Sequence, residues 1–282
     1  MGLFGKWSRR DLLKSSGMAA GALTPIVATS TPATAETITF SGTATDNLFT
    51  RIGVRPILNA RGTYTILSGS RSLPQVKQAM FEASHYYVQM DEMMDGVGKE
   101  LARLNGCESA MATTGCEAAI MLATIACVAG SNVEKCQALP YVKAKDQVII
   151  PKHSRNPYDV GVRVVGAEVI EVETPDQLRA RISPRTAMIY VTSDPREAKS
   201  VLPIPTIIAI AKEKNIPVFV DAAAEEPMSP NVYMQQGASF VGYSGGKCLR
   251  GPQSSGVLLG KAALIKSALP NNTPEDCGAR PT

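Results

Sequence analysis

The chain has 282 residues, 44% hydrophobic and 19% charged, which is the composition of a globular protein with apolar material for one large core or two small ones. The net charge of +4 is scattered and partly N-terminal, so no nucleic-acid surface is expected. Six cysteines without a C-x-x-C pair, and only two histidines, leave no evident metal set; the thiols read as buried or half-buried, with disulfides open if the chain is exported.

In chain order, Ser8-Arg9-Arg10-Asp11-Leu12-Leu13-Lys14 has the pattern of a twin-arginine signal. A weakly apolar, alanine-rich stretch (17–28) follows, then Ala33-Thr34-Ala35 as a cleavage site. The apolar stretch is too short and too polar to span a bilayer stably. Residues 1–35 are therefore set apart as a signal for the twin-arginine translocation machinery, with the remainder expected in the periplasm or otherwise exported. Residues 36–65 read as an N-terminal arm, 66–270 as the main domain, and 271–282 as the start of a further segment. Strands are predicted at 108–113, 147–150, 168–172, 187–192, 216–220, 239–243 and 256–259, the second from the β-branched run Val148-Ile149-Ile150. Helices are predicted from Gly115 to about 128, over 156–165, and over 176–182 behind Pro175. Another is expected where Ile204, Ile207, Ile208 and Ala211 repeat at i, i+3, i+4, i+7.

This alternation argues an α/β fold, a mostly parallel sheet covered by helices on both faces. Ligands of such sheets bind beyond the carboxyl ends of the strands. Thr113-Thr114-Gly115, His153, Thr192-Ser193-Asp194, Asp221 and 244–247 all follow predicted strands, which puts five polar clusters on one rim.

Ser244-Gly245-Gly246-Lys247 follows a buried strand, and Asp221 ends a neighbouring one. An amine and a carboxylate facing one cleft suit pyridoxal 5'-phosphate: the lysine forms a Schiff base with the aldehyde, and the carboxylate keeps the pyridine nitrogen protonated. Thr114-Gly115-Cys116-Glu117 opens a helix whose free N–H groups and dipole suit a phosphate, with Glu117 expected to face elsewhere. A P-loop is excluded, because Val241 stands where its first glycine belongs and Cys248 replaces the Ser/Thr that binds magnesium. His153 suits stacking on the pyridine ring. Arg61, Arg155 and Asn156 are candidates for substrate anions or cofactor oxygens.

Several blocks carry a resemblance. They are 59–64 (Asn-Ala-Arg-Gly-Thr-Tyr), 86–92 (Tyr-Tyr-Val-Gln-Met-Asp-Glu), 153–159 (His-Ser-Arg-Asn-Pro-Tyr-Asp), 220–225 (Val-Asp-Ala-Ala-Ala-Glu) and 244–256, which runs from Ser244-Gly245-Gly246-Lys247 to Gly256. Together they resemble the selenocysteine synthase-like branch of fold-type I pyridoxal phosphate enzymes, which includes L-seryl-tRNA(Sec) selenium transferase and D-glucosaminate-6-phosphate ammonia-lyase-like proteins. The resemblance implies a large domain with a mostly parallel seven-stranded sheet and a C-terminal small domain, the latter expected to be missing here. It implies Lys247 as the Schiff-base lysine and Asp221 as partner of the pyridine nitrogen. Thr114, Gly115, Cys116 and Ser244 would lie at the phosphate, and His153 on the ring. It also implies homo-oligomers, with Gly251-Pro252-Gln253 serving a neighbour's site. The expected activity is a lyase acting on an amino acid or amino sugar acid. Selenium transfer on a tRNA, or a truncated and catalytically silent relative, are the alternatives.

Overall fold

A computed structural model describes residues 46–272. The twin-arginine motif, the cleavage site, residues 36–45 of the predicted arm and residues 273–282 lie outside the described residues. The chain divides into a unit ending at Leu58 and a unit beginning at Asn59. In the first, α1 (Leu48–Arg51) is one turn held by a capping box. Asn47 Oδ1 accepts from the N–H groups of Phe49 (2.9 Å) and Thr50 (3.2 Å), and the Asn47 N–H donates back to Thr50 Oγ1 at 3.0 Å.

The second unit is built on a seven-stranded sheet of order β1-β7-β6-β5-β4-β2-β3. The strands are β1 (Ser109–Thr113), β2 (Gln147–Pro151), β3 (Glu168–Val172), β4 (Thr186–Thr192), β5 (Val218–Asp221), β6 (Phe240–Ser244) and β7 (Gly256–Gly260). Only β7 runs against its neighbours, pairing antiparallel with β1 and β6. The other pairings are parallel, so β1 to β6 all end on one rim and β7 begins there. The central strands read as unbroken apolar runs because both faces are covered. Edge strand β3 instead exposes Glu168 and Glu171, charges that discourage pairing with another chain.

The helices of this unit are α2 (Pro74–Ala83), α3 (Met90–Asn105), α4 (Cys116–Val128), α5 (Val133–Gln137), α6 (Val160–Arg163), α7 (Pro175–Arg181), α8 (Ile204–Glu213), α9 (Val232–Gln236) and α10 (Ala262–Ala268). Side chains alternate across the sheet and feed two cores. On one face Ile149, Ile189, Val191, Val220 and Val241 pack against Ile204, Ile207, Ile208 and Ala211 of α8. On the other, Val148, Ile150, Met188, Tyr190 and Phe219 pack against Ala119, Ile120, Leu122 and Ala123 of α4. Each fully buried aliphatic side chain contributes about 1.5–3 kcal/mol. α4 is apolar on every side because it is sandwiched between the sheet and the α6 and α10 layer.

The seven strands match the predicted ones to within two residues at each end. The predicted helix over 156–165 is shorter. Pro157 opens a 3-10 turn that Asn156 caps through Tyr158 N–H at 2.8 Å, and only Val160–Arg163 is α-helical.

One helix–sheet contact depends on a missing side chain. A Cβ on Gly98 of α3 would lie 2.6 Å from the carbonyl oxygen of Ala110 in β1. Gly98→Ala gains about 1 kcal/mol of helix propensity but overpacks a site where the opposing atom is sheet backbone. Chemical denaturation is expected to show a net loss of about 1–2 kcal/mol. Unchanged or increased stability would mean that α3 slides freely on β1.

Candidate active site

A cavity of about 740 Å³ opens at the strand ends, within the roughly 300–1,000 Å³ typical of small-molecule sites. Its wall collects residues from the ends of β1, β4, β5 and β6. Thr114, Gly115, Cys116, Thr192, Ser193, Asp194, Asp221, Ser244 and Lys247 all line it, so four of the five predicted rim clusters converge.

Lys247 sits in the turn after β6, with its Nζ 5.7 Å from the ring centroid of Tyr158. The turn is tied down along its length. Gly245 N–H donates to Ser255 O and Gly251 N–H to Gly245 O, both at 2.7 Å. A remote segment is stitched to it as well: Ser70 N–H donates to Gly246 O at 2.9 Å and Leu73 N–H to Arg250 O at 3.0 Å. The paired glycines serve close approach rather than an unusual dihedral, since neither has a positive φ. A Cβ on Gly245 would lie 2.9 Å from Ser255 O, and one on Gly246 2.8 Å from Gln253 Cα.

Asp221 is buried, at 4% exposure, and three donors reach its carboxylate. Tyr190 Oη donates to Oδ2 at 2.7 Å, and Oδ1 accepts from Ala223 N–H at 3.1 Å and from Cys116 Sγ at 3.4 Å. Burial pushes the Cys116 thiol well up, and the neighbouring Asp221 charge adds to this, so the thiol is protonated and acts as a donor. Tyr190 is likewise pushed up by burial and then by Asp221, so its phenol keeps its proton. Sequence reasoning missed Tyr190, because a tyrosine inside an apolar strand reads as core.

The N-terminus of α4 carries no side-chain cap. Gly115 precedes it at φ +135°, a conformation that favours glycine, and Thr113 Oγ1 donates to Gly115 O at 2.8 Å. The first-turn N–H groups and the positive dipole end thus face the cavity wall. Glu117, expected to face elsewhere, lines the cavity.

Three further expectations change. His153 does not reach the cavity. The 3-10 turn Lys152–Ser154 swings it to the other side of the rim, where its Nδ1 lies 3.1 Å from Ser200 Oγ beside Glu173, and burial lowers its pKa. The aromatic ring near Lys247 is that of Tyr158. Arg61 is exposed and stacks on Tyr64, its guanidinium 5.4 Å from the ring centroid, outside the cavity wall. Arg155 is spent on an internal brace, donating to Asp159 Oδ2 at 2.6 Å and pairing with Glu171. The guanidinium that does line the cavity is Arg196, which is paired with Asp194 at 2.6 Å. Asn156 lines the cavity as expected. Gln253, which the resemblance assigned to a neighbour's site, lines the cavity of its own chain. The five described cysteines (Cys107, Cys116, Cys127, Cys136 and Cys248) are free thiols.

Residues 54–278 match the protein family described as Cys/Met metabolism PLP-dependent enzyme. The chain belongs to that family. D-glucosaminate-6-phosphate ammonia lyase of Salmonella typhimurium (strain 14028s / SGSC 2262) is 29% identical over 232 residues, covering 78% of this chain and 62% of that protein. The 5'-C-glycyluridine monooxygenase-decarboxylase of Streptomyces sp is 31% identical over 230 residues, covering 77% of this chain and 57% of that protein. A solved structure of D-glucosaminate-6-phosphate ammonia-lyase superposes with a TM-score of 0.71 at 25% identity, covering 79% of this chain and 63% of that one. The chain therefore spans about three fifths of the length of these relatives. The fold is that of the large domain of fold-type I PLP enzymes, in the branch that holds the ammonia lyase.

The donor set in the cavity suits the family's cofactor. An uncapped helix N-terminus, an amine and a buried carboxylate are separate handles for a phosphate, an aldehyde and a pyridine nitrogen.

The Arg155 brace has a measurable signature. Burial raises the Asp159 carboxyl, but hydrogen bonds from Arg155 and then Arg163 outweigh it and hold the group below the ordinary range. A depressed folded pKa contributes stability above the unfolded carboxyl value of about 3.9, and that stability is lost as pH falls through the folded value. Arg155→Met is therefore expected to be less stable than wild type at pH 7, with the difference shrinking below about pH 4. Denaturant titrations at both pH values test this. A pH-independent difference would remove the brace from the account.

Proposed function

We propose that the chain binds pyridoxal 5'-phosphate in this cavity and acts as a lyase on an amino acid or amino sugar acid. The observation that carries the reading is the meeting of Lys247 and Asp221 on one cavity wall with the uncapped N-terminus of α4. When bound, the cofactor supplies an aldehyde that links to amines and a ring that withdraws electrons from the substrate α-carbon. The N–H groups opening α4, with the hydroxyls of Thr114 and Ser244, hold the phosphate. Asp221 holds a proton at the ring nitrogen. Lys247 would hold the cofactor aldehyde through its Nζ, and that amine, when free, would take the substrate α-proton as general base. Tyr158 presents its ring to the Lys247 amine, whose Nζ lies 5.7 Å from the ring centroid. For a substrate with a β-hydroxyl the net reaction would be loss of that hydroxyl with the α-proton as water, then uptake of one water to give ammonia and a keto acid. The likeness to the ammonia lyase favours this reaction class over group transfer on a tRNA.

The same reading includes export by the twin-arginine route and assembly of the protein with itself. Support for assembly lies in the apolar groups left in solvent among the described residues, with Ile66 91%, Tyr86 75% and Tyr87 107% exposed. Sedimentation is expected to give a dimer or larger species; a monomer at high concentration would count against it.

The cofactor is tested with purified full chain. Adding pyridoxal 5'-phosphate is expected to produce a visible absorbance band that borohydride bleaches, and Lys247→Ala is expected to lack it. Ammonia release from a panel of β-hydroxy amino acids and amino sugar acids is expected to fall by about 10²–10⁴-fold or more in that variant. A folded protein that takes up no pyridoxal 5'-phosphate would sink the reading.

A further inference from the structure

The hydrogen bonds behind Asp221 converge on Tyr190. Asn156 Nδ2 can only donate. It reaches Tyr190 Oη at 3.2 Å, Thr192 Oγ1 at 3.1 Å and Ser154 O at 2.9 Å. Thr192 Oγ1 in turn lies 3.2 Å from Ser154 O and 3.4 Å from Tyr190 Oη. Tyr190 has one proton, and with Asn156 donating to its oxygen that proton goes to Asp221 Oδ2, at the shortest contact in the group, 2.7 Å. Tyr190 is 0% exposed, and its ring is stacked on Phe219 with centroids 5.8 Å apart, so the phenol is fixed by packing before any ligand arrives. Asn156 is fixed as well, because its Oδ1 accepts from Tyr158 N–H at 2.8 Å.

We propose that Tyr190 is a positioning residue that, backed by Asn156, sets the plane of the Asp221 carboxylate and thereby aims it at the ring-nitrogen position of the cofactor. Ala223 N–H and the Cys116 thiol both act on Oδ1. Oδ2 is left to Tyr190, so without the phenol the carboxylate can rotate about its Cβ–Cγ bond. The role rests on the proposed cofactor site and adds a residue to it. Losing the alignment this hydrogen bond enforces is expected to show as roughly a tenfold change, about 1.4 kcal/mol.

The test compares binding of pyridoxal 5'-phosphate with binding of its 1-deaza analogue, which has carbon in place of the ring nitrogen. Dissociation constants are measured by equilibrium dialysis on the full chain, with no turnover required. Wild type is expected to prefer the natural cofactor. Tyr190→Phe, which removes one hydroxyl and keeps the ring, is expected to reduce that preference about tenfold while binding the analogue as wild type does. Asn156→Ala, with Tyr190 in place, is expected to shift the preference the same way by less, and it carries the test if Tyr190→Phe does not fold. Equal weakening toward both ligands would assign Tyr190 a merely structural role and overturn the proposal. An unchanged or enlarged preference would overturn it too. Failure of wild type to bind either ligand would overturn the cofactor reading itself, a result distinct from a lost Tyr190 effect.

Discussion

The cavity depends on three backbones approaching each other without side chains between them. β7 enters the rim at Gly256 between the end of β1 and the end of β6. A Cβ at Gly256 would lie 2.6 Å from the carbonyl carbon of Gly115 and 2.7 Å from Thr113 Oγ1. Beside it, a Cβ on Gly242 would meet Phe219 Cζ at 2.7 Å and Cys116 Sγ at 2.9 Å. Because these positions are glycine, the start of α4, the end of β5 and the lysine turn fall within reach of one ligand. A larger residue at any of them would part the phosphate-suited helix end from the amine.

The charges at the rim are organised by the same closeness. Asp221 ends β5 in a wall of neutral donors, a phenol, a thiol and a backbone N–H, none of them a cation. A buried carboxylate is tolerated when its oxygens are hydrogen-bonded, and that leaves it suited to a cationic partner from within the cavity. Of the arginines first assigned to substrate, Arg155 is occupied differently. Arg155 and Arg163 both pair with Asp159, holding the 155–163 segment against the sheet. Segment 193–233 has a similar knot, where Ser193 Oγ contacts Glu225 and Tyr233, and Tyr233 Oη donates to Glu225 Oε2 at 2.8 Å.

The sheet was legible because its signal is carried by many residues at once. Val148-Ile149-Ile150 and 187–191 are apolar on both faces, and a parallel sheet roofed by helices is the arrangement that buries both. Lys247, Asp221, Thr114 and Gly115 could be placed because strand ends of such a sheet share a rim. What failed was direction within a turn. His153 follows β2 just as Asp221 follows β5, yet the 3-10 turn Lys152–Ser154 sends it toward Ser200, and no residue type in that turn announces the rotation. Arg155 and Arg196 are equally plausible from sequence. Arg155 is held away by Asp159 and by Glu171, a β3 residue that becomes its neighbour only on folding, while Arg196 lines the cavity paired with Asp194. Tyr190 stayed hidden for a related reason, since burial in a strand is the ordinary fate of a tyrosine's ring and the hydroxyl's destination is a tertiary fact.

The stitching of the lysine turn has a mechanical corollary. Its ends are clamped to each other at Gly245 and Ser255, and its flank is sewn to 70–73 by backbone bonds and by Ser72 Oγ, which donates to Gly251 O at 3.0 Å. A turn closed on itself and tethered to one distant stretch of chain cannot swing without breaking several bonds at once. The cavity residues Tyr158 and Arg196 are held more locally, Tyr158 on a single short 3-10 turn and Arg196 by a neighbour two residues away. Lys247 therefore stands on backbone anchored both within its own turn and to residues 70–73.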